Sequence, residues 1–415
     1  MENKVVSIVT IKSTKDLFKG DEKAERIELI ELEELGFNLV AGKGLYEVGD
    51  KAVYIQPDYN LSDISLFESF IRPGGDESKS MLGKVEGKPR RIRAKKFNFS
   101  LEPFGDPVYS NGILLPVFDV RDYLSQKNNT PLGITLDNLL DGMVDLTSEL
   151  EITKYEEPEV QPKGGANIGY SSKFPEGLYK TDEDNINNKW GHLENKIGYP
   201  VVLVGTQKTD GSSITIGIKN NEPIICSRNM SKPLSVRKRV GTKTKLSLLD
   251  RIKQFLFNVG LRKKMVDLGI YKIVDNTEDD FVKYGKPLLD ELVENGENNL
   301  ILRGELNGSH LKGSGNKYNP AAKKDPNIEI FGLDLVNEYG VAEKASYDKL
   351  KLFKESYPNF NYVKEVFVKE FNSREEIEKE CNEYFKTNLI EGIVIRTLDS
   401  KFSVKFMNLE YDSKK

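Results

Sequence analysis

Apolar and polar residues alternate along the first part of the chain in short runs broken by turn signals, the pattern of small half-buried strands. Val5 to Ile11 is rich in β-branched residues, and Arg26 to Glu33 alternates in part, with Ile27 and Leu29 against Glu28 and with Glu31 breaking the pattern. Gly49-Asp50 marks a turn before the apolar run Ala52-Val53-Tyr54-Ile55, and Arg91 to Phe97 and Gly112 to Val117 supply two more candidate strands. About five short strands of this kind predict a small β-barrel. The OB-fold is the first candidate, with an SH3-like barrel or a small sandwich nearly as good on periodicity alone. From about 121 to 150 the pattern turns helical, with Leu136, Leu139 and Leu140 on one side. Pro158, Pro162, Gly164 and Gly165 then suit neither a helix interior nor a central strand, which makes this stretch the best domain boundary. Lys180-Thr181-Asp182-Glu183-Asp184 reads as a helix N-terminus capped by Thr181. From Tyr199 onward, strands at 201–204, 213–218, 224–226, 300–302 and 328–335 alternate with helical stretches at about 246–268 and 279–295. Mixed antiparallel sheets with flanking helices fit this alternation, and the chain as a whole is predicted to be α+β. The expected layout is a barrel domain with a helical extension over 1–150, a linker and lead-in segment over 151–198, and a second domain over 199–415.

Composition narrows the class. A chain of 415 residues can hold two or three domains. Cys226 and Cys381 lie far apart, and no C-x-x-C or H-E-x-x-H spacing is present, so neither a disulfide framework nor a zinc site is expected. His192 and His310 are the only histidines, which argues against chemistry built on several imidazoles. No run of 18 apolar residues exists, and Met1-Glu2-Asn3-Lys4 lacks the layout of a signal peptide. A soluble, intracellular, cytoplasmic protein with no membrane partner is expected, as a monomer. The net charge of −4 is unlike that of a nucleic-acid binder, but it averages over two basic runs. These are Arg90-Arg91-Ile92-Arg93-Ala94-Lys95-Lys96, and Arg237-Lys238-Arg239 continuing through Lys243 and Lys245.

Five short segments in fixed order carry the chemistry: Lys208-Thr209-Asp210-Gly211-Ser212, Ser227-Arg228-Asn229, Leu302-Arg303-Gly304-Glu305-Leu306, Glu391-Gly392-Ile393-Val394-Ile395-Arg396 and Ser403-Val404-Lys405. Lys208 follows the apolar run Val201 to Val204 and so ends a buried strand, while Asp210 and Gly211 form a turn that admits a ligand close to the backbone. A free lysine, with a pKa of about 10.4, is a poor nucleophile near pH 7, so a site that uses one must lower that value with neighbouring cations or a metal. Lys405 and Ser403 alternate with Phe402, Val404 and Phe406, which aims both polar side chains at one face. Glu391 stands at the start of a β-branched strand. Hard divalent cations prefer oxygen ligands, and Glu391, Glu305 and Asp210 are the candidate carboxylates. No G-x-x-x-x-G-K-[ST] occurs, and Gly313-Ser314-Gly315 is read as a loop.

These segments resemble motifs I, Ia, III, IV and V of the covalent nucleotidyltransferases, the superfamily of DNA ligases, RNA ligases and mRNA capping enzymes. The resemblance implies that Lys208 is the nucleophile that carries AMP, Glu305 the motif III acid, Glu391 the motif IV metal acid and Lys405 the motif V lysine at the α-phosphate. It also places Arg228 near the nucleotide phosphates or the RNA. Phe331, in Ile330-Phe331-Gly332-Leu333-Asp334, is similar to the motif IIIa aromatic that stacks on the base. Ser403 departs from the K-x-K of several RNA ligases, with Lys401 a doubtful replacement at this spacing. DNA ligases and capping enzymes resemble one another in placing an OB domain after motif V, and only seven residues follow Asn408 here. With the barrel ahead of the catalytic domain, and with Lys23 to Ile27, Val48-Gly49-Asp50 and Arg91 to Lys96 ahead of Asn111 to Pro116, the chain is similar to RNA ligase family five, the Naegleria and Deinococcus type. That family implies a nucleotidyltransferase domain at 199–415, ATP with Mn2+ or Mg2+, and an RNA partner that is a nicked duplex with an RNA 3′-OH end. Arg91, Arg93, Lys95, Lys96 and Arg228 are then the expected RNA-binding residues. Residues of about 230–300 match least and read as an insertion, an added RNA-contacting element. Rival readings are a capping guanylyltransferase using GTP, a DNA ligase, and a non-catalytic OB-containing RNA-binding protein.

Overall fold

Ala52, Val53, Tyr54 and Ile55 are all fully buried, which requires a strand covered on both faces. In the computed structural model, which describes residues 5–127, 135–155, 172–242, 249, 251–253, 269–309, 311 and 318–414, that strand lies inside a five-stranded antiparallel sheet. Its strands are β1 (Val6–Lys19), β2 (Glu22–Leu32), β3 (Asn38–Gly42), β4 (Lys51–Ile55) and β5 (Ile113–Pro116), in the spatial order β5-β4-β1-β2-β3. Alternation along β4 sends Val53 and Ile55 into one core, with Phe67, Val120 and Leu124, and Ala52 and Tyr54 into another, with Ile11, Ile30 and Phe37. Gly112, at φ +115°, must be glycine: a Cβ there would meet the Tyr54 ring at 2.4 Å. That ring is fixed in turn by its hydroxyl, which donates to the Asn111 carbonyl at 2.9 Å.

Three expectations change. Arg91 to Phe97 is two strands, Lys88–Arg91 and Lys95–Phe97, because Ile92 and Ala94 are pulled into buried positions between them. The helical stretch of 121–150 is three pieces, Val117–Lys127, Leu136–Leu140 and Leu146–Glu149, and Leu139 is buried while Leu140 is exposed. Thr181 caps no helix. Its hydroxyl meets that of Ser213 at 3.1 Å, and Asn185 instead caps a short 3-10 turn over Ile186–Asn188. The boundary at 156–165, most of the helical stretch at 246–268, Lys243, Lys245, His310 and Gly313-Ser314-Gly315 lie outside the described residues.

Beyond residue 172 two sheets face each other. One has seven strands, with β8 (Ser212–Lys219), β9 (Glu222–Cys226), β12 (Leu300–Asn307) and β13 (Asn327–Val336) as its body. The other has five, in the order β6 (Asp184–Asn185), β16 (Ser403–Met407), β15 (Gly392–Thr397), β7 (Val201–Lys208) and β14 (Glu365–Phe371). β6 runs parallel to β16, and the remaining pairs are antiparallel. A separate two-stranded ribbon joins β10 (Ser235–Thr242) to β11 (Gly269–Asp275). The helix at Asp280–Glu294, capped by Asp279, buries Val282, Gly285, Leu289 and Leu292 at helical spacing. Gly285 lets it lie close on the seven-stranded sheet, since a Cβ there would come within 3.2–3.3 Å of Ile225, Ile214 and Ile216. Among the described residues no helix is long and apolar enough to cross a membrane.

Inside the seven-stranded sheet, Arg303 and Asp334 form an ion pair with both side chains 2% exposed. The pair is held at 2.6 Å, with Thr215 accepting from Arg303 at 2.9 Å and Tyr179 donating to Asp334 at 2.6 Å. Removing one partner leaves a charge buried without compensation, which costs about 3–5 kcal/mol. Asp334→Ala is expected to lower the unfolding free energy by that amount, seen as a lower urea midpoint at an unchanged m-value, and an unchanged midpoint would contradict it.

Candidate active site

The two sheets are joined by the turn Thr209-Asp210-Gly211, which leads from the end of β7 in one sheet to the start of β8 in the other. Close approach shapes this turn. A Cβ on Gly211 would meet the Leu306 carbonyl oxygen of β12 at 2.7 Å. Lys208, the last residue of β7, pairs with Gly392 of β15, so the preceding residue, Glu391, faces it. The Lys208 Nζ to Glu391 Oε2 distance is 2.5 Å, with the side chains 25% and 8% exposed. Asp210 is buried; its Oδ2 accepts from the Tyr411 hydroxyl at 2.8 Å, and its carbonyl accepts from Asn319 Nδ2 at 2.6 Å. The Thr209 hydroxyl donates to Glu329.

Glu305 lies on β12 opposite Ser213 of β8, and its Oε2 is sealed from solvent without a hydrogen-bond partner. Loss of solvation, with the like charges of Glu391 and Asp210, outweighs Lys208 and Arg228 and pushes its carboxyl up to about 8. An orphaned buried oxygen beside a second carboxylate fits a hard cation. Among the described residues no group of three or more His, Cys, Asp or Glu is gathered to hold a metal ion. Glu391 and Asp210 both lie near Glu305, and both are engaged, Glu391 by Lys208 and Asp210 by Tyr411.

A second cluster gathers cations. Asp182, held beside β16 by the parallel pairing of Asp184 and Asn185 with Val404 and Lys405, meets Arg228 at 3.2 Å and Lys405 at 4.0 Å and also pairs with Lys154. Burial raises its pKa, but the three cations together hold it below the ordinary value. Phe331 lines a narrow cavity of about 50 Å³ between the sheets, with Tyr179, Glu183, Val204 and Arg396. The Arg396 guanidinium lies 5.9 Å from the Phe331 ring and 3.9 Å from Glu183. Lys401 is exposed on the turn before β16.

The first basic run is largely committed elsewhere. Arg91 donates to Asp58 at 2.7 Å and stacks on Tyr155 at 4.0 Å, and Lys96 reaches Glu410 at 2.6 Å. Arg93 has its Nε sealed without a partner, and Lys95 is half-buried. Sequence reasoning missed Asp182, Arg396 and Tyr411 as site residues. The adjacency of Arg396 to the Glu391 strand was a usable signal. A lone tyrosine 201 positions from Asp210 carries none.

The chain shares its fold along its whole length with Naegleria gruberi RNA ligase. A mutant of that ligase solved with AMP and Mn matches with a TM-score of 0.62 at 20% identity, covering 100% of this chain and 99% of that one. A mutant with ATP and Mn gives 0.63 at 20% identity, covering 99% of each, and the ligase with PPi gives 0.61 at 19% identity, covering 99% and 98%. A scan against protein-family models and a search of curated proteins found no match.

A carboxyl raised from 4.5 to about 8 on folding binds more protons in the folded than in the unfolded state across that window, so it lowers stability progressively as pH rises through it. Glu305→Gln removes this effect. The variant is expected to gain stability over the parent as pH goes from about 5 to about 8.5, read by urea unfolding at each pH; parallel pH curves for the two proteins would refute it.

Proposed function

We propose that the chain is an ATP-dependent RNA ligase that seals 3′-OH and 5′-phosphate RNA ends through a lysyl-AMP intermediate. The observation that carries this reading is the pairing of Lys208 with Glu391 at the turn between two sheets, with Glu305 beside it and Arg228 and Lys405 gathered nearby. The full-length fold likeness to a ligase that has been solved with ATP, AMP, Mn and PPi supports it. On this reading 1–150 is an OB-type barrel with a helical extension, 151–198 a linker and 199–415 the nucleotidyltransferase domain with its insertion at about 230–300. The protein acts as a cytoplasmic monomer.

Lys208 attacks the α-phosphorus of ATP; its N–P bond forms as the P–O bond to pyrophosphate breaks, and the amine loses its proton. AMP then passes to an RNA 5′-phosphate, and a 3′-OH attacks that phosphate and releases AMP. Glu391 and Glu305 would hold Mn2+ or Mg2+, which supplies positive charge against the phosphate oxygens. Beforehand, Lys208 is paired with Glu391 at 2.5 Å, so loading the site must weaken that pair. Arg228 and Lys405 exchange Asp182 for phosphate oxygens. Phe331, which lines the cavity between the sheets with Tyr179 and Arg396, stacks on the base. Arg93 and Lys95 stay in the RNA-binding assignment with Arg228, while Arg91 and Lys96 serve internal pairs. A nick is the favoured substrate, since a template holds both ends in register.

Incubation with α-labelled ATP, then denaturing electrophoresis, tests the reading. The native chain is expected to take the label from ATP and not from GTP, Lys208→Ala to take none while keeping its circular dichroism, and Glu391→Ala to lose about 10²-fold or more in rate with either metal. Label on Lys208→Ala, or label from GTP alone, would sink it.

A further inference from the structure

The second basic run is not used by the site just described, and its charge is out of proportion to the chain. Residues 232–275 contain 12 Lys or Arg and 3 Asp or Glu, a net of +9 in a chain whose net charge is −4, which leaves −13 on the rest. Within this interval β10 and β11 form a two-stranded ribbon that, among the described residues, pairs with no other strand.

The root of the ribbon is fixed close to Arg228. Lys232 is buried, pairs with Asp279 at 3.7 Å and lies 5.0 Å from the centre of the Phe281 ring. Asn276, 2% exposed, donates from its side chain to the Pro233 carbonyl at 2.9 Å and from its backbone to Leu234 at 3.0 Å. These bonds clamp both strands of the ribbon at its root, which begins four residues after Arg228.

The ribbon's register sets like charges against each other. Lys238 stands directly opposite Lys272, and both are exposed. Like charges at directly opposed positions destabilise a β-ladder. The exposed ion pair of Lys238 with Glu278 at 3.2 Å offsets little of this. Arg237, also exposed, stands opposite Ile273 on the other face. A ribbon that keeps a repulsive pair at its surface, in a chain otherwise acidic, is complementary to a polyanion that brings phosphates to both lysines at once.

We infer that this ribbon grips the phosphate backbone of duplex RNA beside the active site, through Lys238, Lys272 and Arg237. The inference rests on the ligase reading for the identity of the polyanion. A-form duplexes offer a wide, shallow groove edged by phosphates, which an exposed ribbon can straddle without reading sequence.

The test uses the full chain and a triple variant, Arg237→Gln with Lys238→Gln and Lys272→Gln, binding a fluorescent nicked RNA duplex at a series of KCl concentrations. Each phosphate that the variant no longer neutralises should flatten the slope of log K against log salt by about 0.7–0.9. The variant is therefore expected to show a slope shallower by about 2 and an affinity about 10-fold or more lower near 0.1 M salt. Lysyl-AMP formation should be unchanged, and Lys238→Arg with Lys272→Arg should restore binding. Equal slope and affinity in a folded triple variant would overturn the ribbon while leaving the ligase reading intact. Failure of the native chain to take label from ATP would overturn the ligase reading, while the binding curves would still decide the ribbon. Tighter binding to polyglutamate than to the duplex would also overturn it, by pointing to an acidic protein partner.

Discussion

The site depends on one backbone constraint: the chain changes sheets between Lys208 and Ser212. β7 hydrogen-bonds within one sheet and β8 within the other, so the residues between them must sit where the sheets diverge. Gly211 permits the crossing to hug β12, which brings Glu305 beneath it, and pairing of Lys208 with Gly392 brings Glu391 against the amine. Gly392 is equally confined, since a Cβ there would meet the Phe406 carbonyl oxygen at 2.5 Å. Lys208 and Glu305 thus converge from β7 and β12, with Glu391 at the start of β15 and Asp210 on the short turn. Rigid elements hold such constellations better than loops do.

The crossing also divides the charge of the cleft into two poles. Glu305, stripped of solvent, with Glu391 and Asp210 nearby and no donor at Oε2, has its pKa raised. Asp182, a comparable carboxylate in the second cluster, has its pKa lowered, because Lys405, Lys154 and Arg228 surround it. Burial acts in the same direction on both, so the neighbours decide the difference. The first pole is short of a cation and the second holds cations around a single carboxylate. A metal-bound polyphosphate would complement both, and this is the physical content of the nucleotidyl-transfer reading.

Much of this was legible in the sequence because strand periodicity and the order of short motifs are local signals. Lys208 at a strand end, Glu391 at a strand start and Lys405 alternating with Phe402 and Val404 each follow from a period of two. The helical stretch at about 279–295 was visible as such, and the structure runs it over Asp280–Glu294. What could not be read was long-range. The pattern around Thr181 suits a helix start, but the sheet edge at Lys405 takes the following residues as a parallel strand, so tertiary pairing overrode local preference. The basic run Arg91 to Lys96 looked like a single RNA-facing strand. Its breakage and the internal partners of Arg91 and Lys96 depend on Asp58, Tyr155 and Glu410, which no sequence window contains.

Those long-range partners tie the two parts of the chain together. The helix Leu409–Ser413 is five residues long, far too short to be stable by itself. Its order comes from both sides. Glu410 accepts from Lys96 and Tyr109, and with Lys414 these partners hold its carboxyl down at about 2. Asp412 accepts from the Ala94 backbone at 3.2 Å, and Tyr411, between them in sequence, donates into the opposite side at Asp210. A displacement of the N-terminal strands would therefore move Tyr411, and with it the hydrogen bond that orients the carboxylate two residues from the lysine. The coupling runs through three charge-assisted bonds, from Lys96, Tyr109 and the Ala94 backbone, and one buried hydroxyl. It gives the first 120 residues a defined mechanical connection to the site, even though none of the five chemical segments lies among them.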